Sequence, residues 1–193
     1  MKKLIGITGY ARSGKDTFYQ RASIYLQKDG KKSFRVAFAD RLKNELDSLL
    51  IEHMGISAFT EDDREKELIR PLLVTYGTEL RRKVNPNCWI ESAQPLVIDH
   101  LSKDEYVFVT DVRFANEAEW ITMNGGILVH VARSGIQPAN HEEHKQYVRM
   151  KKFINYNIRW DTVGSDHLDY CDEHVVPLMA HIIQSEPSFQ QIM

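Results

Sequence analysis

An apolar run that ends in a glycine turn and passes straight into a helical pattern is the tightest constraint this chain carries. Leu4-Ile5-Gly6-Ile7 leads into Thr8-Gly9-Tyr10-Ala11-Arg12-Ser13-Gly14-Lys15-Asp16-Thr17, and Phe18, Ala22, Tyr25 and Leu26 then recur at helical spacing. Strand, loop and helix follow one another, with Gly9-x4-Gly14-Lys15 at the bend. Small residues there let successive backbone N–H groups and a helix N-terminus converge on phosphate oxygens. Lys15 adds a point charge with the reach of β- and γ-phosphates. In this reading Gly9, Ala11, Arg12, Ser13, Gly14, Lys15, Asp16 and Thr17 form a phosphate-binding loop. A chance glycine-lysine turn would have no reason to sit between a strand and a helix.

At 193 residues the chain can bury one full core but not two ordinary ones. A formal net charge of -2 gives no global attraction to nucleic acid, so stable binding to a polyanionic polymer is not expected. Two cysteines, Cys88 and Cys171, without a CxxC pair or a secretory leader, imply a reducing compartment, the cytoplasm. No apolar run approaches the roughly 18 residues of a membrane span. Neither a linker nor an internal repeat divides the chain.

Beyond the loop helix, Asp29-Gly30 supplies a stop, and Phe34, Val36 and Phe38 alternate as a second strand ending near Ala39. Leu42, Leu46, Leu49 and Leu50 share a helical face, with Asp40 placed to cap the helix and Gly55 to end it. Residues 56 to 70 are mostly polar, and Pro71 suits the first position of the next helix, whose stripe is Leu72, Leu73, Tyr76 and Leu80. A further helical pattern runs from about Asn87 to Leu101, with Pro95 expected to kink or shorten it. Tyr106-Val-Phe-Val-Thr-Asp111 reads as a buried parallel strand delivering an acid to the sheet edge, a Walker B-type strand. Asn116 is placed to cap a helix that Gly125-Gly126 closes, and residues 127 to 132 form the next strand. A long polar, basic stretch, a strand from about Ile158 to Val163 and a helix from about Asp166 to Gln184 complete the chain. Such alternation predicts an α/β fold, a parallel sheet covered by helices on both faces, with ligands at the carboxyl ends of its strands.

Four segments carry a resemblance to a known family: GYARSGKDT, FADRLK at 38 to 43, YGTELRR at 76 to 82 with Trp89 downstream, and TDVRFANE at 110 to 117. Together with the Gly-Lys-x-Thr form of the loop, they make the chain resemble the bacteriophage deoxynucleoside monophosphate kinases, members of the P-loop kinase fold. Arg41 and Ala115 stand where that family often has proline. The resemblance implies a core of about 1–39 and 102–193 and a helical acceptor-binding insertion over about 40–101; the basic residues over about 134–157 read either as a lid or as a solvated loop. The resemblance is thin from about residue 134 onward. A homodimer, host cytoplasm as location and nucleotide supply for DNA synthesis are implied by the resemblance alone.

Phosphoryl transfer asks a protein chiefly for positioning and charge neutralisation. Lys15 and the loop amides would hold ATP, and Thr17 would offer its hydroxyl oxygen to Mg²⁺, with Asp111 holding one of the ion's waters. Asp16 either faces that metal or is an acid favoured by the helix dipole. Arg113, two residues past the strand-end acid, points to the same edge, and by resemblance it binds the acceptor phosphate or the moving phosphoryl group. Asp40 and Lys43 follow the second strand to that edge, although Asp40 also suits a cap. For the acceptor the insertion offers Arg64, Arg70, Arg81 and Arg82, of which Arg81 and Arg82 gain from the match around Gly77 and Glu79. Tyr76 or Trp89 is available to the base, and core packing is the competing role for Trp89. Arg133 ends a strand ahead of a lid containing Lys145, Arg149, Lys151, Lys152 and Arg159. His141-Glu-Glu-His144 lacks the spacing of HExxH and a third ligand, so metal binding is not expected there.

The expected activity is transfer of the γ-phosphoryl group of ATP to a deoxynucleoside monophosphate. The rival enzyme readings are kinases of another small acceptor, of the phosphomevalonate or dephospho-coenzyme A kind. From a different class comes a nucleotide-binding regulatory module, which needs fewer cations around the γ-phosphate. A nucleic-acid motor would need a basic stripe that this chain lacks.

Overall fold

The computed structural model describes residues 3–162 and 165–185 and divides into two compact units, residues 1–36 with 97–193 and residues 37–96. In the first unit five strands form one parallel sheet: β1 (Leu4–Thr8), β2 (Ser33–Val36), β3 (Tyr106–Val112), β4 (Ile127–Arg133) and β5 (Tyr156–Trp160), in the order β2-β3-β1-β4-β5. β1 is buried along its whole length, and β3 and β4 over most of theirs, as expected of strands covered on both faces. Eight α-helices are described: α1 (Lys15–Lys28), α2 (Phe38–Met54), α3 (Asp63–Val74), the single turn α4 (Arg82–Val84), α5 (Cys88–Ser102), α6 (Ala115–Met123), α7 (His141–Met150) and α8 (Asp172–Gln184).

Alternate residues of each strand serve opposite faces. Ile5, Ile7, Phe108, Val129, Val131, Ile158 and Trp160 pack with Phe18, Ala22 and Leu26 of α1 and Val175, Met179 and Ile182 of α8. On the other face a Cβ on Gly6 would lie 2.4 Å from Ile121 of α6 and 2.8 Å from Leu128, so only glycine lets α6 approach β1 this closely. Arg21 of α1 is tied to Asp169 and Asp172, fixing α8 across the first face.

Several element boundaries differ from the pattern in the sequence. β2 stops at Val36 because Ala37 is the extended cap of α2, which starts at Phe38; Asp40 therefore lies in the first helical turn and is not the cap. α3 begins eight residues before Pro71, where Asp62 accepts from the N–H groups of Arg64 (2.8 Å) and Glu65 (3.1 Å). The segment looked irregular because, over residues 63–70, Ile69 alone is buried. α5 likewise runs through Pro95. α6 starts at Ala115, with Asn116 inside its first turn; the Glu117 carboxylate accepts from the N–H groups of Arg113 (2.7 Å) and Phe114 (2.9 Å) and does the capping. The polar stretch after Arg133 contains α7, β5 ends at Trp160, and a 3₁₀ segment, Ser165–Cys171, precedes α8. Val163, the end expected for the last strand, lies outside the described residues.

The second unit has its own core, in which Leu46 and Leu50 of α2 meet Ala58 and Ile69, with Leu42, Ile56, Leu73 and Tyr76 around them. Between α3 and α4 the helix widens into π-turns over Thr75–Arg81, a form that appears mostly as short insertions and often at functional sites. Leu50 is fully buried, so Leu50→Ala is expected to cost about 2–5 kcal/mol through lost transfer energy and a residual cavity. Urea unfolding followed by the fluorescence of Trp89, the tryptophan of this unit, measures it.

Candidate active site

The loop between β1 and α1 is pinned from several sides. Gly9 sits at φ 150° and Gly14 at φ 94°. A Cβ on Gly9 would fall 2.2 Å from the Val131 carbonyl oxygen, and one on Gly14 would fall 2.8 Å from the Trp160 indole. Trp160 donates its Nε1–H to the Ser13 carbonyl at 3.0 Å. The Ser13 N–H returns to the Tyr10 carbonyl at 3.1 Å, closing a turn whose third residue, Arg12, is left-handed at φ 63°. Lys15 Nζ donates to the carbonyls of Gly9 (3.0 Å) and Tyr10 (2.9 Å), which holds its charge against the loop. The buried Ser13 Oγ has no hydrogen-bond partner among the described residues.

Lys15 feels four other charges here. Burial is the first cause of a lowered Lys15 pKa and the Arg113 charge the second, while Asp16, Glu143 and Asp111 act in the opposite direction. Asp111 owes its position to a register shift: from Gly6 to Thr8 β1 advances two residues, while from Val109 to Val112 β3 advances three. An extra residue of this kind re-aims neighbouring side chains. Arg133 ends β4 opposite Trp160, with its buried Nε unpartnered among the described residues. Thr17 is half-buried and Asp16 exposed in the first turn of α1.

The remaining sequence candidates belong to the second unit. Asp40 is half-buried in the first turn of α2, and Lys43 lies over the Phe59 ring, 5.2 Å from its centroid. Arg70 is exposed near the end of α3, Glu79 pairs with Lys83 at 2.8 Å, and Arg82 donates to the Pro86 carbonyl at 3.3 Å. Trp89 is 3% exposed and donates to the Gly77 carbonyl inside the π-turns at 3.2 Å. Glu45 accepts from Tyr76 (2.7 Å) and Arg81 (2.9 Å), and the Arg81 guanidinium lies 5.4 Å from the centroid of the Trp89 ring.

Sequence reasoning did not find the residues that brace the loop from outside. Glu143 of α7 accepts from the Ala11 N–H at 3.0 Å and from the Ala139 N–H at 2.6 Å. Tyr10 hydrogen-bonds His144 Nδ1 at 3.2 Å and meets Tyr147 edge-on, and Tyr147 in turn lies against His130. The missed signal was Asn140-x-x-Glu143, a capping pattern that marks the start of α7. Among the described residues no group of three His, Cys, Asp or Glu side chains gathers as a metal site.

The first unit is thus an α/β arrangement, a parallel five-stranded sheet flanked by helices, with a glycine-rich loop running from its central strand into α1. No protein-family model matches the chain. In sequence it is similar to a protein of Acanthamoeba polyphaga mimivirus named "Putative deoxynucleotide monophosphate kinase", 28% identical over 172 residues that cover 80% of this chain and 86% of the relative. Among solved structures it resembles a dephospho-CoA kinase from Campylobacter jejuni, at TM-score 0.48 and 13% identity, over 94% of this chain and 99% of that one. A Thermus thermophilus protein aligns at TM-score 0.44 and 19% identity, over 91% and 96% of the two chains. Among the described residues no helix is long and apolar enough to cross a membrane.

His130 supplies a pH test of this region. Burial lowers its pKa below the ordinary 6.5, the Lys15 charge lowers it further, and a hydrogen bond with Asn157 opposes both. The native state therefore favours the neutral ring, and stability is lost as pH falls from about 6.5 through the lowered native value. His130→Gln is expected to lose less stability than wild type between about pH 7.5 and pH 5, measured by urea denaturation at both pH values.

Proposed function

We propose that the protein is an ATP- and Mg²⁺-dependent kinase that phosphorylates a deoxynucleoside monophosphate, giving the diphosphate and ADP. What supports this reading is the glycine-rich loop between β1 and α1, where Lys15 is held on the carbonyls of Gly9 and Tyr10 and feels the charges of Arg113 and Asp111. A binding module has little use for a second cation beside the lysine, whereas phosphoryl transfer develops charge that Arg113 can meet. The name of the mimivirus relative supports a monophosphate acceptor, and so do the segments around Gly77 and Arg113.

In this reading the amides of the loop and Lys15 bind the β- and γ-phosphates of ATP. An acceptor phosphate oxygen attacks the γ-phosphorus in line, the bond to the β,γ-bridging oxygen breaks, and ADP leaves. Arg113 and Arg133 neutralise charge on the transferring group. Thr17, Asp16 and Asp111 offer hard oxygen donors that suit Mg²⁺, which would neutralise phosphate charge when bound. The acceptor is assigned to Asp40, Lys43, Arg70, Glu79 and Arg82, with Trp89 contributing by shaping their surroundings, since its own ring is buried.

Purified protein incubated with Mg-ATP and each common ribo- or deoxynucleoside monophosphate in turn should form ADP and one acceptor diphosphate in equal amounts. Lys15→Ala should abolish both products. ADP without a diphosphate would point to a different acceptor, and absence of any product would favour a nucleotide-binding module. Arg113→Ala should lower kcat by about 10²- to 10³-fold while leaving the Kd for ATP within a few-fold of wild type. Loss of ATP binding in that variant would move Arg113 from the transferred group to the donor.

A further inference from the structure

The carboxylate of Glu143 reaches out of α7 to the loop without belonging to either the loop motif or the strand edge. One oxygen accepts from the Ala139 N–H at 2.6 Å, just ahead of the helix. The other accepts from the Ala11 N–H at 3.0 Å, in the phosphate loop. Its own N–H is capped by Asn140 Oδ1 at 2.9 Å, so the side chain springs from a fixed helix start. Below it on the same helix, His144 takes the Tyr10 hydroxyl at 3.2 Å, Tyr147 meets the Tyr10 ring, and Met150 Sδ faces the Thr8 hydroxyl at 3.9 Å. One face of α7 thus follows the chain from the end of β1 to the tip of the loop.

The tip needs such support. Ala11 and Arg12 are the middle residues of the turn closed by Ser13 N–H and Tyr10 O, and Arg12 adopts a left-handed conformation that glycine would take without strain. Both residues are exposed, so packing does not hold them. From inside, the turn is held by Lys15 on the carbonyls of Gly9 and Tyr10, and from the β5 side by Trp160 on the Ser13 carbonyl. The lysine is the group a bound triphosphate would draw away. What then remains on the N–H of the Tyr10–Ala11 peptide is the carboxylate on α7.

We infer that Glu143 is a positioning residue that clamps the tip of the phosphate loop to α7 and so sets the aim of the loop amides at the nucleotide's terminal phosphate. The inference rests on the loop binding phosphate, as proposed above. Its negative charge works against a triphosphate, so Glu143 has two effects of opposite sign, and the clamp is the larger: a charge-assisted hydrogen bond to an exposed, strained turn is lost altogether on truncation.

The test is calorimetric titration of Mg-ATP into wild type, Glu143→Ala, Glu143→Gln, Glu142→Gln and Lys15→Ala, with kcat and KM for ATP measured on the same proteins and melting curves confirming that each is folded. Glu142 lies one residue away in the same helical turn, is exposed, and among the described residues bonds Gln146 and pairs with Lys145, so it controls for charge. Glu143→Ala should weaken ATP binding by about tenfold and raise KM by a similar factor with kcat changed less than about threefold. Glu143→Gln keeps one acceptor oxygen and should fall between alanine and wild type, while Glu142→Gln should stay within about twofold of wild type. Tighter ATP binding in both Glu143 variants would mean that repulsion dominates and would overturn the clamp. Unchanged binding in Glu143→Ala, with binding lost in Lys15→Ala, would overturn the clamp alone. Undiminished binding in Lys15→Ala would remove the phosphate-loop reading and the clamp with it.

Discussion

A side chain at position 9 would collide with the Val131 carbonyl oxygen at 2.2 Å, and much of the first unit is arranged around that contact. The loop must leave β1 flush against the neighbouring strand β4, which requires a residue without Cβ and a φ that L side chains rarely adopt. β1 can tolerate so tight an exit because it is central and fully buried, flanked by β3 on one side and β4 on the other. The loop's other boundary is set by β5, where Trp160 lies against Gly14 and bonds the Ser13 carbonyl. Three strands of a sheet buried on both faces therefore hold the loop in place, and the loop itself contributes little packing of its own.

Charge is distributed around this loop in a way that packing alone does not require. Lys15 is partly desolvated and stands near Arg113, both of which disfavour its protonated form, yet Asp16, Asp111 and Glu143 offset that cost. The unpartnered Ser13 hydroxyl and Arg133 Nε add donors without acceptors. A site with buried donors and two neighbouring cations is incompletely satisfied by its own side chains, and polyphosphate is a ligand that would complete it. Among the carboxylates near the loop, Glu143 is committed to two backbone N–H groups.

What could be read from the sequence was whatever depends on short-range pattern. The loop, the central strand at 106 to 112, the strand from 127 and the glycine that ends α2 all carry their signals within a few residues. The acid at Asp111 and the arginine at Arg113 were visible because strand ends in an α/β sheet point to one edge. Features set by distant partners were not visible. Pro71 looked like a helix start, because the exposed face of α3 before it shows no stripe and Ile69 is its one buried residue. Trp160 and Glu143 touch the loop from 147 and 132 positions away in the chain, and nothing local to either announces it. Asn140 with Glu143 did announce a helix, but its basic flanks drew the reading toward an irregular lid.

The second unit shows how one residue can be claimed by packing and still shape chemistry. Trp89 is buried, and its indole N–H is spent on the Gly77 carbonyl, so its ring is committed to the packing of this unit. That bond falls within π-turns, where the widened helix departs from its regular hydrogen-bond spacing. The Cβ of any residue replacing Gly77 would press against Leu42 at 3.0 Å, so the widened segment also sits tightly on α2. Arg81 then lies over the indole while Glu45 holds both Arg81 and Tyr76, which fixes the guanidinium in a plane. Fixing an arginine in this way lowers the entropy lost when an anion binds it. The π-turns, the tryptophan and the glutamate are thus linked, and together they hold Arg81, a residue that sequence alone presents as surface charge.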